Sequence, residues 1–402
     1  MSRIVSVGLL SALAAASIGA GANADPRIVE RSGNTYHVAV CGKVFGLVAR
    51  CFAHVVTDEA GNMLVGKDTI GGYTPAQLRS AYDIKATGKA STIIAIVDAY
   101  GYPNAEADLG AYRAQFGLPP CTTANGCFRK LNQTGAQTNY PATNSGWDVE
   151  QALDVDMASA MCPRCTIDLV QATTASFQNL GTAENEAAAL GAHVISNSYG
   201  GDESAGMKSF ARYYNHPGVA ITVANGDDGY GVESPADMPT VIAVGGTSLV
   251  TADNARGWSE SVWSGTGSGC STVFAKPAWQ KAAGCSMRIV GDTAAVADPD
   301  TGVAVYDAGW NIVGGTSAAT PIVGGIFAVN GGGVHDAMTL YNHPAGFNAV
   351  TTGNNGTCSP AFLCNGEAGY DAPTGMGTPH SSLAFGDVTP AIVDMPPGTG
   401  AF

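Results

Sequence analysis

The chain has 402 residues, only 13% of them charged, with a formal net charge of −14. It carries no basic patch, which argues against nucleic acid as a partner. The length suits one large α/β domain or two small ones.

Residues 1–24 read as a signal peptide. Arg3 precedes an apolar run from Ile4 to about Gly21, closed by Ala22-Asn23-Ala24, which predicts cleavage after Ala24. The expectation is a secreted protein, extracellular or periplasmic, without a membrane anchor. Residues 25–72 form a short N-terminal segment with strand-like runs at 37–40 and 52–56, broken by Gly71-Gly72. Thr74 before Pro75 then predicts a helix start, threonine as cap and proline at the first position. Strands follow at 91–97, 166–170, 194–197, 218–223 and 240–244. They alternate with helices at 105–116 (capped by Asn104), 145–161, one ending over 183–190, and 207–214. Apolar strands separated by helices imply a mostly parallel sheet covered on both faces. Beyond about 252 the pattern loosens into glycine-rich loops. A helix then begins at Ser317, and the tail 391–402 is expected to be flexible.

Ten cysteines fall into close pairs: Cys41/Cys51, Cys121/Cys127, Cys162/Cys165, Cys270/Cys285 and Cys358/Cys364. In an exported chain these suggest local disulfides, with sequential pairing as a working assignment. Cys162-Pro163-Arg164-Cys165 has no second CxxC to complete a zinc site.

Gly314-Gly315-Thr316-Ser317-Ala318-Ala319-Thr320-Pro321 reads as a glycine turn delivering a serine to a helix start. Ala319, Ile322, Val323, Ile326 and Phe327 supply the apolar helical pattern. Developing negative charge is favoured at that end of a helix, so Ser317 is a candidate acyl-transfer nucleophile. The bland alternative is a helix cap. A base is then needed. None of His37, His54, His193, His216, His335, His343 and His380 stands in an HGT-type context at a helix start.

Carboxylates are the other source. Glu150 and Asp154 are four apart and share a face of the helix predicted at 145–161. A close carboxylate pair splits its titration, so one member holds a proton while the other accepts one. Asn225-Gly226-Asp227-Asp228-Gly229 follows a strand end, where ligands bind in parallel α/β folds. A protonated Asp there would donate to an oxyanion.

Taken together, these motifs resemble the sedolisins, serine-carboxyl peptidases on a subtilisin-like fold, over about 73–379. The resemblance implies a three-layer α/β domain over 73–390. It casts Ser317 as nucleophile, Glu150 as general base, Asp154 as the group polarising Glu150, and Asp227 as oxyanion donor. Asp98 and Tyr199 fall in an auxiliary network. The implied activity is acid endopeptidase chemistry on protein or peptide substrates, by a monomer, through an acyl-enzyme. Two departures stand out. The family's large pro-domain is represented only by 25–72, either a reduced pro-segment or a retained part. The family's Ca²⁺ site corresponds to Asn348, Ala349, Glu367, Gly369 and Asp371, with Asn348 where the family has Asp. Calcium is expected there with an altered ligand set. The competing readings are a neutral Ser-His-Asp protease using Asp98, and an inactive homologue serving as a binding protein.

Overall fold

The computed structural model describes residues 28–381 except 65, 67–69, 330 and 332. The expected signal peptide and the tail 391–402 lie outside the described residues.

Strands such as Ile93–Ala99 and Thr166–Ala172 are buried almost throughout, so both faces of their sheet need cover. The central eight-stranded sheet runs Trp258–Val262, Ile242–Thr251, Ala220–Ala224, Val194–Asn197, Ile93–Ala99, Thr166–Ala172, Phe128–Asn132, with Thr293–Val296 joined to Ile242–Thr251. Its ladders are parallel except that between Ile242–Thr251 and Trp258–Val262. Helix Thr316–Val329 is apolar and buried along its whole length, as a helix inside a core must be. It packs against helix Ser145–Met161 and the strands Val194–Asn197 and Ala220–Ala224. Thr74 and Gln77 form a reciprocal cap at the start of Pro75–Ala81.

A second, antiparallel sheet has the order Val29–Ser32, Thr35–Ala39, His54–Thr57, Trp310–Gly314, Val303–Tyr306. The N-terminal segment is thus woven into the strand that feeds the Ser317 helix. A small third sheet sets Tyr199–Asp202 between Arg50–Cys51 and Glu233–Ser234.

The cysteines pair in sequence order, as Cys41–Cys51, Cys121–Cys127, Cys162–Cys165, Cys270–Cys285 and Cys358–Cys364. None is left free among the described residues. Each bridge closes a short local loop, as expected of structural staples. The bridges also tie down loop backbone. The Cys127 carbonyl accepts the Ile167 N–H at 2.8 Å, which brings the Cys121–Cys127 loop to the strand Thr166–Ala172. The Cys285 carbonyl accepts Lys276 Nζ at 3.1 Å, and the Cys364 carbonyl accepts the Asn355 N–H at 3.0 Å.

Several expectations need correction. The region past 252 is not loop: it holds Trp258–Val262, Gly269–Ala275, Met287–Val290, Thr293–Val296, Val303–Tyr306 and Trp310–Gly314. These strands are short and mix glycine, serine and threonine with apolar residues, so neither an apolar run nor clean alternation marks them. The helix expected at 207–214 is two 3₁₀ turns, Ala205–Ser209 and Ala211–Tyr214. Asn104 makes no side-chain cap. Phe128–Asn132 is an edge strand whose Arg129 pairs with Asp168, and its charges hid it.

Candidate active site

Ser317 is the second residue of its helix, just after the strand Trp310–Gly314. Gly315 makes the corner at φ 97°, a conformation that side chains rarely adopt. A Cβ there would overlap the Phe52 carbonyl oxygen and crowd Asp227 Oδ2. Pro321 has no N–H to return to the Ser317 carbonyl four residues back. The Ser198 hydroxyl reaches that carbonyl instead, at 3.4 Å.

Beneath the serine, helix Ser145–Met161 presents Glu150 and Asp154 from successive turns, both fully buried. Glu150 Oε2 accepts the Ala53 N–H at 2.8 Å while Oε1 has no hydrogen-bond partner, and the nearby Ser317 hydroxyl acts to lower the Glu150 pKa. The Ser317 hydroxyl donates to the Ser198 carbonyl oxygen at 3.2 Å and accepts the Phe52 N–H at 3.2 Å. Asp154 accepts the Ser198 hydroxyl at 2.8 Å. Asp98, near the end of strand Ile93–Ala99, joins the same pocket with both carboxyl oxygens free of hydrogen-bond partners.

Three carboxyl groups in one dry pocket cannot all be anions. Burial, and then repulsion from Asp98, hold Glu150 and Asp154 well above the usual carboxylate range. Burial pushes Asp98 up to about 8. The cluster therefore stores protons next to the serine.

Asp227 stands across Gly315. Its Oδ1 accepts the Thr316 N–H at 2.9 Å and the Thr316 hydroxyl at 2.6 Å, while Oδ2 has no hydrogen-bond partner. Burial pushes this carboxyl up to about 8, against the lowering effect of the Thr316 bonds. In mild acid Oδ2 carries a proton and is a donor.

His54 lies beside this site, with Nε2 3.4 Å from Asp227 Oδ2 and Nδ1 3.0 Å from His37 Nδ1. Burial, then His37, push it down to about 3, so it is neutral. It faces Asp227, whereas the Ser317 hydroxyl donates to the Ser198 carbonyl oxygen. Tyr199 is not in the carboxyl network through its phenol, which donates to Asn197 Oδ1 at 2.7 Å and lies 3.1 Å from the Tyr214 hydroxyl. Its backbone is what faces the cleft, paired with Cys51. Sequence reasoning missed Ser198, although it sits just past the strand end at Asn197, where α/β sites gather.

The residues of the expected calcium site lie apart from this chemistry. Asp371 is buried, accepts from Thr374 N–H and hydroxyl at 2.8 Å each and from Glu367 N–H at 3.1 Å. Asn348 turns its NH₂ toward the Thr378 and Pro379 carbonyls. With Glu367, Gly369 and the Ala349 backbone this offers a single oriented carboxylate. Calcium takes about six to eight oxygens, so this donor set fits it poorly.

Set beside known proteins, the chain matches a model of the Subtilase family over residues 152–339. It is 31% identical to kumamolisin from Bacillus sp. (strain MN-32) over 350 residues, 76% of this chain and 62% of that protein. To sedolisin from Pseudomonas sp. (strain 101) it is 27% identical over 393 residues, 84% of this chain and 65% of that protein. The chain thus spans just under two thirds of the length of these curated relatives. A solved structure of Pseudomonas sedolisin, a serine-carboxyl proteinase complexed with two molecules of pseudo-iodotyrostatin, superposes with a TM-score of 0.66 at 25% identity. That match covers 77% of this chain and 96% of the other. The fold is subtilisin-like. Within that class, the chain is similar to kumamolisin and sedolisin.

Proposed function

We propose that the protein is a serine-carboxyl endopeptidase that hydrolyses peptide bonds of protein substrates in acid. The observation that carries this reading is the placement of the buried carboxyls Glu150 and Asp154 beside Ser317, with Asp227, pushed up to about 8, across Gly315. Ser317 Oγ attacks the scissile carbonyl as Glu150 takes its proton. Asp227 Oδ2 and backbone N–H groups at the helix start stabilise the oxyanion. Glu150 then protonates the leaving amine, and water repeats the cycle on the acyl-enzyme.

Charge sets the pH range. Asp227 donates only while protonated, so activity falls as pH approaches 8. Glu150 must part-ionise within its cluster, which sets the acid limit. The maximum belongs in mild acid. Export, through cleavage near Ala24, is part of the proposal and is supported by the apolar N-terminal run and five disulfides. Among the described residues no helix is long and apolar enough to cross a membrane. Weak calcium binding at the Asp371 loop is proposed as a structural feature only, and no chemical step uses it.

The test compares wild type with Ser317→Ala, Glu150→Gln and Asp227→Ala on a denatured protein substrate from pH 3 to 8. Full activity in Glu150→Gln would defeat the carboxyl-base assignment even if proteolysis is real.

A further inference from the structure

The antiparallel sheet gathers three metal-ligating side chains on one face. Glu30, on Val29–Ser32, stands directly opposite His37, on Thr35–Ala39. His37 is opposite Val56 and His54 is opposite Ala39, so the two histidines are diagonal neighbours across the next ladder. Residues two apart on a strand point to the same side, which puts all three together. They come from three different strands, and the third, His54–Thr57, is the one that pairs with Trp310–Gly314 ahead of Ser317.

The imidazoles meet nitrogen to nitrogen. His37 Nδ1 lies 3.0 Å from His54 Nδ1, and Glu30 Oε2 lies 4.0 Å from the first and 3.9 Å from the second. A point equidistant from three atoms so spaced is about 2.1 Å from each, which is the length of a Zn²⁺ bond to imidazole nitrogen or carboxylate oxygen. A hydrogen bond between the two rings accounts for their own spacing, but it leaves the Glu30 carboxylate beyond hydrogen-bond reach of either.

Glu30 has no better partner. Among the described residues its ion pairs are with these two imidazoles alone. The neighbouring cations are taken, since Arg50 and Lys43 pair with Asp228 at 2.7 and 3.1 Å. Asp227 and Asp228 line the same cavity as Glu30 and His37, and a cleft of one sign concentrates the opposite ion. His54 is oriented as a ligand as well. Its Nε2 faces Asp227 Oδ2 at 3.4 Å, and a metal-bound imidazole usually turns its second nitrogen to a carboxylate or carbonyl.

We propose that Glu30, His37 and His54 form a binding site for a divalent transition-metal ion of the Zn²⁺ class, with water from the adjoining cavity as fourth ligand. Two imidazole nitrogens select that class over Ca²⁺ and Mg²⁺, which take oxygen. The ion ties the hairpin of Val29–Ser32 and Thr35–Ala39 to the strand His54–Thr57 and so fastens the N-terminal segment to the body of the fold. The three ligands are brought together only by folding, so binding stabilises the folded chain.

The experiment strips the purified full chain with EDTA, removes the chelator and titrates ZnCl₂ at pH 7 by calorimetry, with thermal melts at matched metal concentrations. Wild type is run beside Glu30→Gln and His37→Ala, and circular dichroism checks the folding of each. Glu30 is half-exposed and glutamine keeps its shape, so this variant decides the matter even where His37→Ala fails to fold. The expected result is one Zn²⁺ per wild-type chain and a Tm that rises with Zn²⁺ but not with Mg²⁺. Binding should weaken by at least about tenfold in Glu30→Gln and disappear in a folded His37→Ala. A folded wild type that gives no binding heat and no Tm shift with Zn²⁺ overturns the proposal. Zn²⁺ binding of equal strength in wild type and Glu30→Gln also overturns it, because the ion then sits on other residues.

Discussion

The Ser198 hydroxyl donates to Asp154 Oδ1 at 2.8 Å, and the Ser198 carbonyl oxygen lies 3.2 Å from Ser317 Oγ. One residue thus orients both ends of the relay: the carboxyl behind Glu150 and the nucleophile before it. Ser198→Ala removes the first contact and keeps the second, because the second uses backbone. With Asp154 held protonated, the bond is an ordinary one worth about 0.5–1.5 kcal/mol. The expected outcome is therefore a kcat reduced by roughly twofold to tenfold with KM little changed. The Ser198 bond lowers the Asp154 pKa, so its loss keeps Asp154 neutral to higher pH and should leave the acid limb, set by Glu150, no higher than in wild type. Ser198→Thr should restore most of the activity. A kcat and KM profile from pH 3 to 7 checks all three.

Asp227 separates donor from charge. Asparagine in its place can accept the Thr316 bonds through its oxygen and offer an NH₂ where Oδ2 stands, with no proton to lose. Asp227→Asn should keep much more activity than Asp227→Ala, and its activity should decline less steeply between pH 6 and 8. Alanine should cost about 10²–10³ in kcat, as loss of an oxyanion donor does elsewhere. If the two variants are equally poor at every pH, Asp227 serves to hold Thr316 and not the oxyanion.

The parallel core was legible because its strands are long apolar runs between helices, and Glu150 with Asp154 because their spacing is a property of one helix. What escaped the sequence depends on distant pairing. His54 reaches Asp227 only through the ladder of His54–Thr57 with Trp310–Gly314. Phe52 and Ala53 meet Ser317 and Glu150 across separations of 265 and 97 residues. The sedolisin resemblance places Tyr199 near the network, but rotation of one side chain toward Asn197 and Tyr214 decides what it touches. No local pattern encodes that choice.

Calcium should act on the loop and not on the chemistry. With a dissociation constant of about 1 mM, 10 mM calcium would add about 1.4 kcal/mol to stability by mass action. The expected outcome is a small rise in Tm with calcium, abolished in Asp371→Asn, and a kcat indifferent to chelator. Calorimetry with and without calcium, beside an activity assay in EGTA, checks it. A kcat that collapses on chelation and returns with calcium would show that the loop is coupled to the site.

Stability should run against the usual preference for neutral pH. Asp98 and Asp227 move from an ordinary 3.8 to about 8 on folding, and Glu150 and Asp154 move the same way. A raised carboxyl contributes stability that is complete below its unfolded pKa, and it is lost as pH climbs through the folded value. His54 opposes this, since it falls from 6.5 to about 3 and its contribution is lost as pH drops through that interval. Below about 6.5 the lowered histidines His54, His37 and His216 offset part of the effect of these carboxyls and of others raised by burial, such as Asp156, Glu184 and Asp237. Tm should fall as pH rises from 4 to 8, most steeply above 6.5. Glu150→Gln removes one buried ionisation, so this inactive variant should be more stable than wild type at pH 8 and its Tm should depend less on pH. Thermal melts of both proteins at unit pH steps decide the matter, and a wild-type Tm that peaks at pH 7–8 would mean that the carboxyl cluster is ionised in the folded state.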